Sequence, residues 1–575
     1  MSPTFARLGP VVTLFTVGIL FFPVSGTDDK YITYWSAHAL ANLGEMVNYN
    51  GERVEQSSSL THVLLLAALA KLVPLSMSGI GWVVSVAFGL ATVLMTHRLA
   101  GRIDPALARP AAWIAGSALS LVYWSFGGLE STLAACLGTG LLLVGIDAAQ
   151  HGFSAGRVAG AAVLTLLFVA VRPESVFLAS ATWLGLAASP LVQRVTLIRL
   201  DGSIDLQTAR RSAALAALAW VCFAALALFR SAYFGDVFPQ PVRAKVGQPT
   251  PDAIYQGLRY VVFEPLERWD PLWLVAAGGI LVVSIGAMRG VALRVPLIAT
   301  GLLGLAQVGF VISAGGDWMG GGRFLVPLVP VAAVFAARLL TSARGSLSRV
   351  WLPALVLWQI VVCADFARRI SPSGPLWAEG PPLPPEYVLP VDWFDMKNRT
   401  HVHFMPATAE LLKLLGSVTE SARPPVTILS GQMGFVPYMI GKAFYGRVRF
   451  VDIGGLTTRH LTELLETHSF AKSSTGVQFW YTDLFSRMDA GAGPGWIPPD
   501  VIFDYELAGG PDAERQQRAQ ARGYAILFRQ DGFPDNGSRV FGGGLRTRRV
   551  FVAVRGDLAR GATVEYRFGP AAHQR

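Results

Sequence analysis

Asp28 and Asp29 stand side by side directly behind the first apolar segment of the chain. Adjacent carboxylates at a membrane boundary are costly to desolvate, so their presence there points to a task. A carboxylate can take the proton of an attacking hydroxyl. Four further clusters bring complementary groups. YWSFGGLEST (123–132) carries Trp124 and Glu130 beside Gly127 and Gly128, and VRPES (171–175) sets Arg172 and Glu174 around Pro173. FRSAYFGDVFPQPVRAKVG (229–247) carries Arg230, Tyr233, Asp236, Arg243 and Lys245. AGGDWMGGGRF (314–324) holds Asp317, Trp318 and Arg323 among five glycines, which permit close backbone approach to a ligand. Guanidinium groups suit phosphate, and cations stabilise a departing phosphate. Aromatic rings stack on sugars. The inventory suits transfer of a sugar from a lipid phosphate. Each cluster also has a plainer reading: a helix N-cap for the aspartates, a tight helical hairpin with a first-turn Glu130 at 123–132, an Arg172–Glu174 ion pair at a hairpin, lipid headgroups on 229–247, and a flexible loop at 314–324.

The elements that must position these residues are membrane spans. Of 575 residues, 52% are hydrophobic and 15% charged, against about 25% charged in a soluble domain. Continuous apolar runs give about eleven spans: 8–25, 79–97, 109–126, 128–147, 156–171, 173–190, 211–230, 271–288, 293–313, 323–341 and 350–366. Segment 8–25 resembles a signal peptide but reads as a retained helix. The run 60–76 carries His62 and Lys71 and reads as an interfacial helix that does not cross. With that choice, the loops holding Arg102, Arg157, Arg194, Arg199, Arg210, Arg211, Arg289, Arg294, Arg338, Arg344 and Arg349 all share the side of the N-terminus. The positive-inside rule makes that side cytoplasmic. All five clusters then meet the opposite face. Ile32, Trp35, Ala39 and Leu43 recur at helical spacing, so 28–45 reads as a helix lying on the membrane there.

The net charge of +10 sits mostly in short-loop arginines, which argues for topology determinants and against a nucleic-acid partner. The three cysteines fall in apolar runs and suggest neither disulfides nor a metal site. The histidines of HVH (401–403) read as incidental; no cofactor is expected, and the sequence leaves dependence on a divalent metal open. GFVPYMIGKA (434–443) has the wrong spacing for a P-loop. Residues 367–575 contain no spanning run. After a Pro-rich stretch, helix-like 407–418 and 457–467 alternate with strand-like 426–430, 448–453, 477–481, 501–505, 524–528 and 550–554. This reads as a small extracytoplasmic α/β domain behind a membrane module of residues 1–366, whose first outer loop is 27–78.

The ordered set of segments resembles the GT-C superfamily of polyprenyl-phosphate-dependent glycosyltransferases, and within it the AftB family of mycobacterial terminal arabinofuranosyltransferases. The segments are 28–59, GGLES (127–131), VRPE (171–174), YFGDVFPQPVRAKVG (233–247), GGDWMGGGRFLVPLVP (315–330) and VDIGGLT (451–457). The resemblance implies a polytopic α-helical module with an extracytoplasmic C-terminal domain, in a bacterial inner membrane with the site facing outwards. It implies transfer of arabinofuranose or a related sugar from a polyprenyl-phosphate donor to a cell-envelope polysaccharide, glycolipid or protein, among membrane lipids. It implies a catalytic carboxylate at Asp29 or Asp28. By position and charge, Arg172, Arg243, Lys245 and Arg323 become donor-phosphate candidates. Glu130, Trp124, Tyr233, Asp317 and Trp318 become candidates for sugar or acceptor contact. The chain departs from the family at 36–38, where an Arg is common, at the serine run 57–59, and in the extra glycines of 315–324. A transporter of a lipid-linked glycan and a non-catalytic glycan-binding membrane protein are the rival classes.

Overall fold

The computed structural model describes residues 3–25, 28–195, 200–201, 205–245, 251–288, 293–317, 319–342, 347–370, 394–395, 404–419, 425–431, 433–452, 456–458, 499–507, 515–534, 547–558 and 564–567. The membrane part contains α1 (Pro3–Phe21), α2 (Lys30–Leu43), α3 (Leu60–Leu72), α4 (Met77–Ile103), α5 (Pro105–Ser117), α6 (Leu119–Ser125), α7 (Ser131–His151), α8 (Ala155–Val169) and α9 (Ser175–Val195). It continues through α10 (Leu206–Phe234), α11 (Gln240–Lys245), α12 (Pro251–Leu258), α13 (Glu264–Glu267), α14 (Pro271–Met288), α15 (Val295–Ser313), α16 (Val329–Ser342) and α17 (Leu347–Ile370). Among the described residues, seven helices are long and apolar enough to cross a membrane: α4, α7, α10, α14, α15, α16 with the 3-10 turn before it, and α17. Leu8–Phe21, Leu60–Leu72, Ala155–Val169 and Ser175–Ala188 are shorter apolar helices. The expected span 109–126 is not one helix. It breaks at Ala118, which takes an extended conformation between α5 and α6.

Helix α3 runs along one end of the bundle. At its start the Thr61 N–H donates to the Ala170 carbonyl (3.2 Å), at the end of α8. Four residues past its C-terminus α4 begins, and Ser78 Oγ donates to Asp395 Oδ1 (2.6 Å), which also accepts from the Tyr31 hydroxyl (2.6 Å). The basic loops meet at the other end. Arg102 pairs with Asp147 (2.8 Å) and Arg338 with Asp104 (3.8 Å), while Arg157 and Arg211 donate to the carbonyls of Gly152 (2.6 Å) and Phe153. Arg199, Arg289 and Arg344 lie outside the described residues.

The C-terminal part holds α18 (Met405–Thr419), α19 (Phe435–Phe444) and α20 (Arg515–Ala521) around a sheet. Two short paired segments, β1 (Leu200–Asp201) and β2 (Leu293–Arg294), belong to the membrane part. The sheet itself comprises β3 (Val426–Ser430), β4 (Val448–Asp452), β5 (Val501–Leu507), β6 (Tyr524–Pro534), β7 (Thr547–Arg555) and β8 (Val564–Arg567), in the order β4-β3-β5-β7-β6-β8. Strand β3 pairs in parallel with β4 and β5, and β7 is antiparallel to β5 and β6. The expected strand 477–481 and most of the expected helix 457–467 lie outside the described residues.

One apolar core fills the bundle, around Trp124, Trp183 and Phe335. A second is shared. It joins Tyr31, Trp35 and Leu66 of α2 and α3 to Phe435, Phe450 and Phe503 of the C-terminal part. On helix α2 the stripe Ile32, Trp35 and Ala39 is covered by protein. Trp35 packs against Tyr49 of the first loop and Tyr445 of the C-terminal domain, while Ile32 lines a cavity. Each large apolar side chain so buried contributes about 1.5–3 kcal/mol.

Candidate active site

Asp29 and Asp28 end up in different places. Asp29 occupies the N-cap position of α2, yet its side chain makes no capping bond to that helix. It lines a cavity of about 520 Å³ instead. Asp28 is buried against the C-terminal domain, where its carboxylate accepts from the N–H groups of Phe435 (2.7 Å) and Gly434 (3.1 Å). Burial pushes its carboxyl up to about 7 against the lowering effect of the Phe435 N–H. The two neighbours divide the work: Asp28 reaches the domain and Asp29 the cavity.

Opposite Asp29, distant parts of the chain supply an ionic wall. Arg172 bridges two carboxylates, Glu130 at 2.5 Å and its near neighbour Glu174. The ion pair expected within the 171–175 hairpin is present, and the added bond joins it to the 123–132 corner. Arg323 holds Asp317 in a two-pronged pair at 2.8 and 3.2 Å. Both guanidinium groups lie over the ring of Phe324, at 4.7 and 5.0 Å from its centroid. Phe324 is fixed through its backbone. Its N–H donates to the Tyr260 hydroxyl (3.3 Å) and its carbonyl accepts from Gln307 Nε2 (2.8 Å). The corner itself needs Gly128, with φ +76°, because a Cβ there would stand 2.1 Å from the Tyr34 hydroxyl.

Of the residues singled out by sequence, Asp29, Ile32, Glu130, Arg172, Glu174, Asp317 and Arg323 line the cavity. Trp124 does not; it is fully buried and its Nε1–H holds the Gly321 carbonyl (3.1 Å), so it shapes the glycine loop. Tyr233 stands outside the lining, stacked on Phe229 with Arg53 over its ring, its hydroxyl accepting from the Met46 N–H (3.1 Å). Arg243 pairs with Asp236, and its neighbours Pro241 and Val242 reach the cavity in its place. Lys245 ends α11, with no side-chain placement among the described residues; Trp318 lies outside them.

The cavity adds residues the sequence did not flag. Thr33 sits one turn after Asp29 on the same face of α2, a spacing that could have found it. Gln56, Ser57 and Ser58 come from the loop before α3, and Phe177, Phe223 and Phe310 form an apolar side. Leu456 comes from the C-terminal domain. Behind the wall His62 is fully buried with neither ring nitrogen hydrogen-bonded. Burial drives its pKa down to about 4, against the pull of Glu130, so the ring is neutral at pH 7. The 54–59 loop is anchored by a buried pair, Arg230 to Glu55 at 2.7 and 3.3 Å; burial raises the Glu55 carboxyl despite Arg230. Among the described residues no group of three or more His, Cys, Asp or Glu is placed to hold a metal ion.

No protein-family model matches the chain, and no curated protein matches it. Solved structures do. ArnT from Cupriavidus metallidurans in the apo state aligns over 97% of this chain and 99% of its own, at 13% identity and a TM-score of 0.52. The same protein bound to undecaprenyl phosphate gives 0.51 with the same coverage and identity. The apo oligosaccharyltransferase from Archaeoglobus fulgidus aligns over 92% of this chain and 74% of its own, at 11% identity and a TM-score of 0.53. In the structure of that enzyme tethered to an acceptor peptide, this chain spans 64% of its length. The chain therefore shares its fold with ArnT and the archaeal oligosaccharyltransferase.

Proposed function

We propose that this protein is a membrane glycosyltransferase that moves a sugar from a polyprenyl-phosphate donor to an extracytoplasmic acceptor. The observation that carries the reading is the cavity, where a carboxylate, Asp29, shares one chamber with Arg172, Arg323 and the phenylalanines Phe177, Phe223 and Phe310. Asp29 takes the proton of the acceptor hydroxyl as the new C1–O bond forms and the C1–O bond to phosphate breaks. Each guanidinium has five N–H donors, so Arg172 and Arg323 keep donors for the leaving phosphate beyond those given to their carboxylates. The phenylalanines suit the first isoprene units. The sugar we favour is arabinofuranose, on the sequence resemblance, and the acceptor a cell-envelope glycan. The basic far end faces the cytoplasm and the cavity faces outwards, in a bacterial inner membrane. The C-terminal domain stands on the outer side.

The test uses the purified full-length protein with decaprenyl-phosphoryl-arabinofuranose and an arabinan oligosaccharide, read by mass spectrometry. A product heavier by one pentose is expected. Movement of the lipid-linked sugar across proteoliposomes with no covalent product would replace the reading by a transporter.

A further inference from the structure

We propose that docking of the C-terminal domain completes the active site, with Asp28 as the latch: it caps helix α19 from across the domain boundary and thereby fixes Asp29 at the cavity edge. This rests on the function proposed above, and it makes Asp28 a positioning residue.

Helix α19 starts at Gly434, which has no side chain with which to cap it, and its first N–H groups have no partner within the helix. The Asp28 carboxylate supplies one, taking the Phe435 N–H at 2.7 Å and the Gly434 N–H at 3.1 Å. The fit leaves no slack. A Cβ on Gly434 would stand 2.2 Å from the Asp28 carbonyl oxygen and 2.4 Å from its Cγ. The same turn is held again by the Tyr49 hydroxyl, which donates to the Met433 carbonyl (2.9 Å). Farther along α19, a Cβ on Gly441 would come within 2.9 Å of the Trp35 ring, so α2 and α19 are in close contact along their lengths.

The domain grips the cavity from a second side. Leu456 is part of its lining. The Thr457 carbonyl accepts from Asn48 Nδ2 (2.9 Å), in the loop that leads to Gln56 and Ser57. The Thr458 carbonyl accepts from Gln240 Nε2 (3.2 Å), and the Gln240 N–H in turn donates to the Glu55 carbonyl (2.9 Å). Domain, first loop and the start of α11 are thus tied to one another beside the cavity. Asp28 and Asp29 share a peptide bond, so a change in the backbone of one moves the other. A displacement of about 1 Å at a reacting group costs on the order of 10²-fold in rate.

The test compares Gly434→Ala, Asp28→Ala and Asp28→Asn in the full-length protein, each as the monodisperse fraction. Two readouts are taken: steady-state kinetics with the polyprenyl-phosphate donor, and amide hydrogen exchange over α2. Expected for Gly434→Ala and Asp28→Ala are faster exchange in α2 with the bundle helices still protected, and a kcat reduced about 10- to 100-fold with donor KM changed under about 3-fold. Asp28→Asn keeps one acceptor oxygen and the same number of heavy atoms, so it falls between these and the native protein, and it carries both readouts should the other two fail to fold. Unchanged exchange in α2 for every folded variant overturns the latch. Loosened α2 with full kcat overturns the positioning role. A fully active Asp29→Asn protein instead removes the function proposed above while leaving the exchange result standing.

Discussion

The two ends of the helical bundle use charge in opposite ways. At the far end Arg102–Asp147 and Arg338–Asp104 are open to solvent, with side chains 28–45% exposed. Such pairs are worth about 0–1 kcal/mol. At the cavity end Arg172–Glu130, Arg323–Asp317 and Arg230–Glu55 are 3–11% exposed. Charges withdrawn from water this far carry a desolvation penalty that their attraction only partly offsets. The far-end arginines stay in water, where their pairs need no fixed direction. The cavity end holds its charges in fixed directions, which is what a site for a charged ligand requires.

The comparison can be broken most sharply at Arg172. Arg172→Met leaves Glu130 and Glu174 buried without their cation, and a loss of about 3–5 kcal/mol is expected in denaturation of the detergent-solubilised protein. Loss no greater than at the far end would erase the contrast. At Arg230, the single change Arg230→Met carries a penalty of the same kind, and the paired change with Glu55→Leu restores most of it, because no lone charge remains. A double variant as unstable as the single one would mean that the pair acts through geometry rather than through its charges.

A smaller effect is expected in the pH dependence of thermal unfolding. The Asp28 carboxyl is raised from 3.8 to about 7, chiefly by burial, with Asp29 adding to the rise and Lys30 opposing it; Tyr49 stands in the same field. A raised carboxyl contributes stability that is complete below about pH 4 and is lost as pH climbs through about 7. The native protein should therefore lose stability between pH 5 and 8 relative to Asp28→Asn, whose profile should be flatter over that range; parallel profiles would refute the assignment. The smallest effect belongs to the far end. Arg102→Gln should change stability by under about 1 kcal/mol and leave transfer activity at the native level.

The sequence shows the apolar runs plainly, because a bilayer demands long uninterrupted ones, and the charge of the loops separates the two ends. Other features lie outside local pattern. An amphipathic stripe such as Ile32, Trp35 and Ala39 looks the same whether lipid or a protein domain covers it, so the burial of α2 under α19 was not legible. The break at Ala118 was hidden because alanine is the best helix former. Arg172 visibly had Glu174 beside it, but its bond to Glu130, 42 residues away, exists only in three dimensions. The sequence also offered no way to separate Asp28 from Asp29: what distinguishes them is the N-terminus of a helix some 400 positions later.

That separation is the central claim, and one measurement meets it directly: turnover of Asp29→Asn and Asp28→Asn side by side, with decaprenyl-phosphoryl-arabinofuranose as donor and equal amounts of folded protein. Asp29→Asn should lose about 10²- to 10⁴-fold in kcat, the range for a general base, while Asp28→Asn loses far less. Full activity in Asp29→Asn, or a deeper loss in Asp28→Asn than in Asp29→Asn, would contradict it.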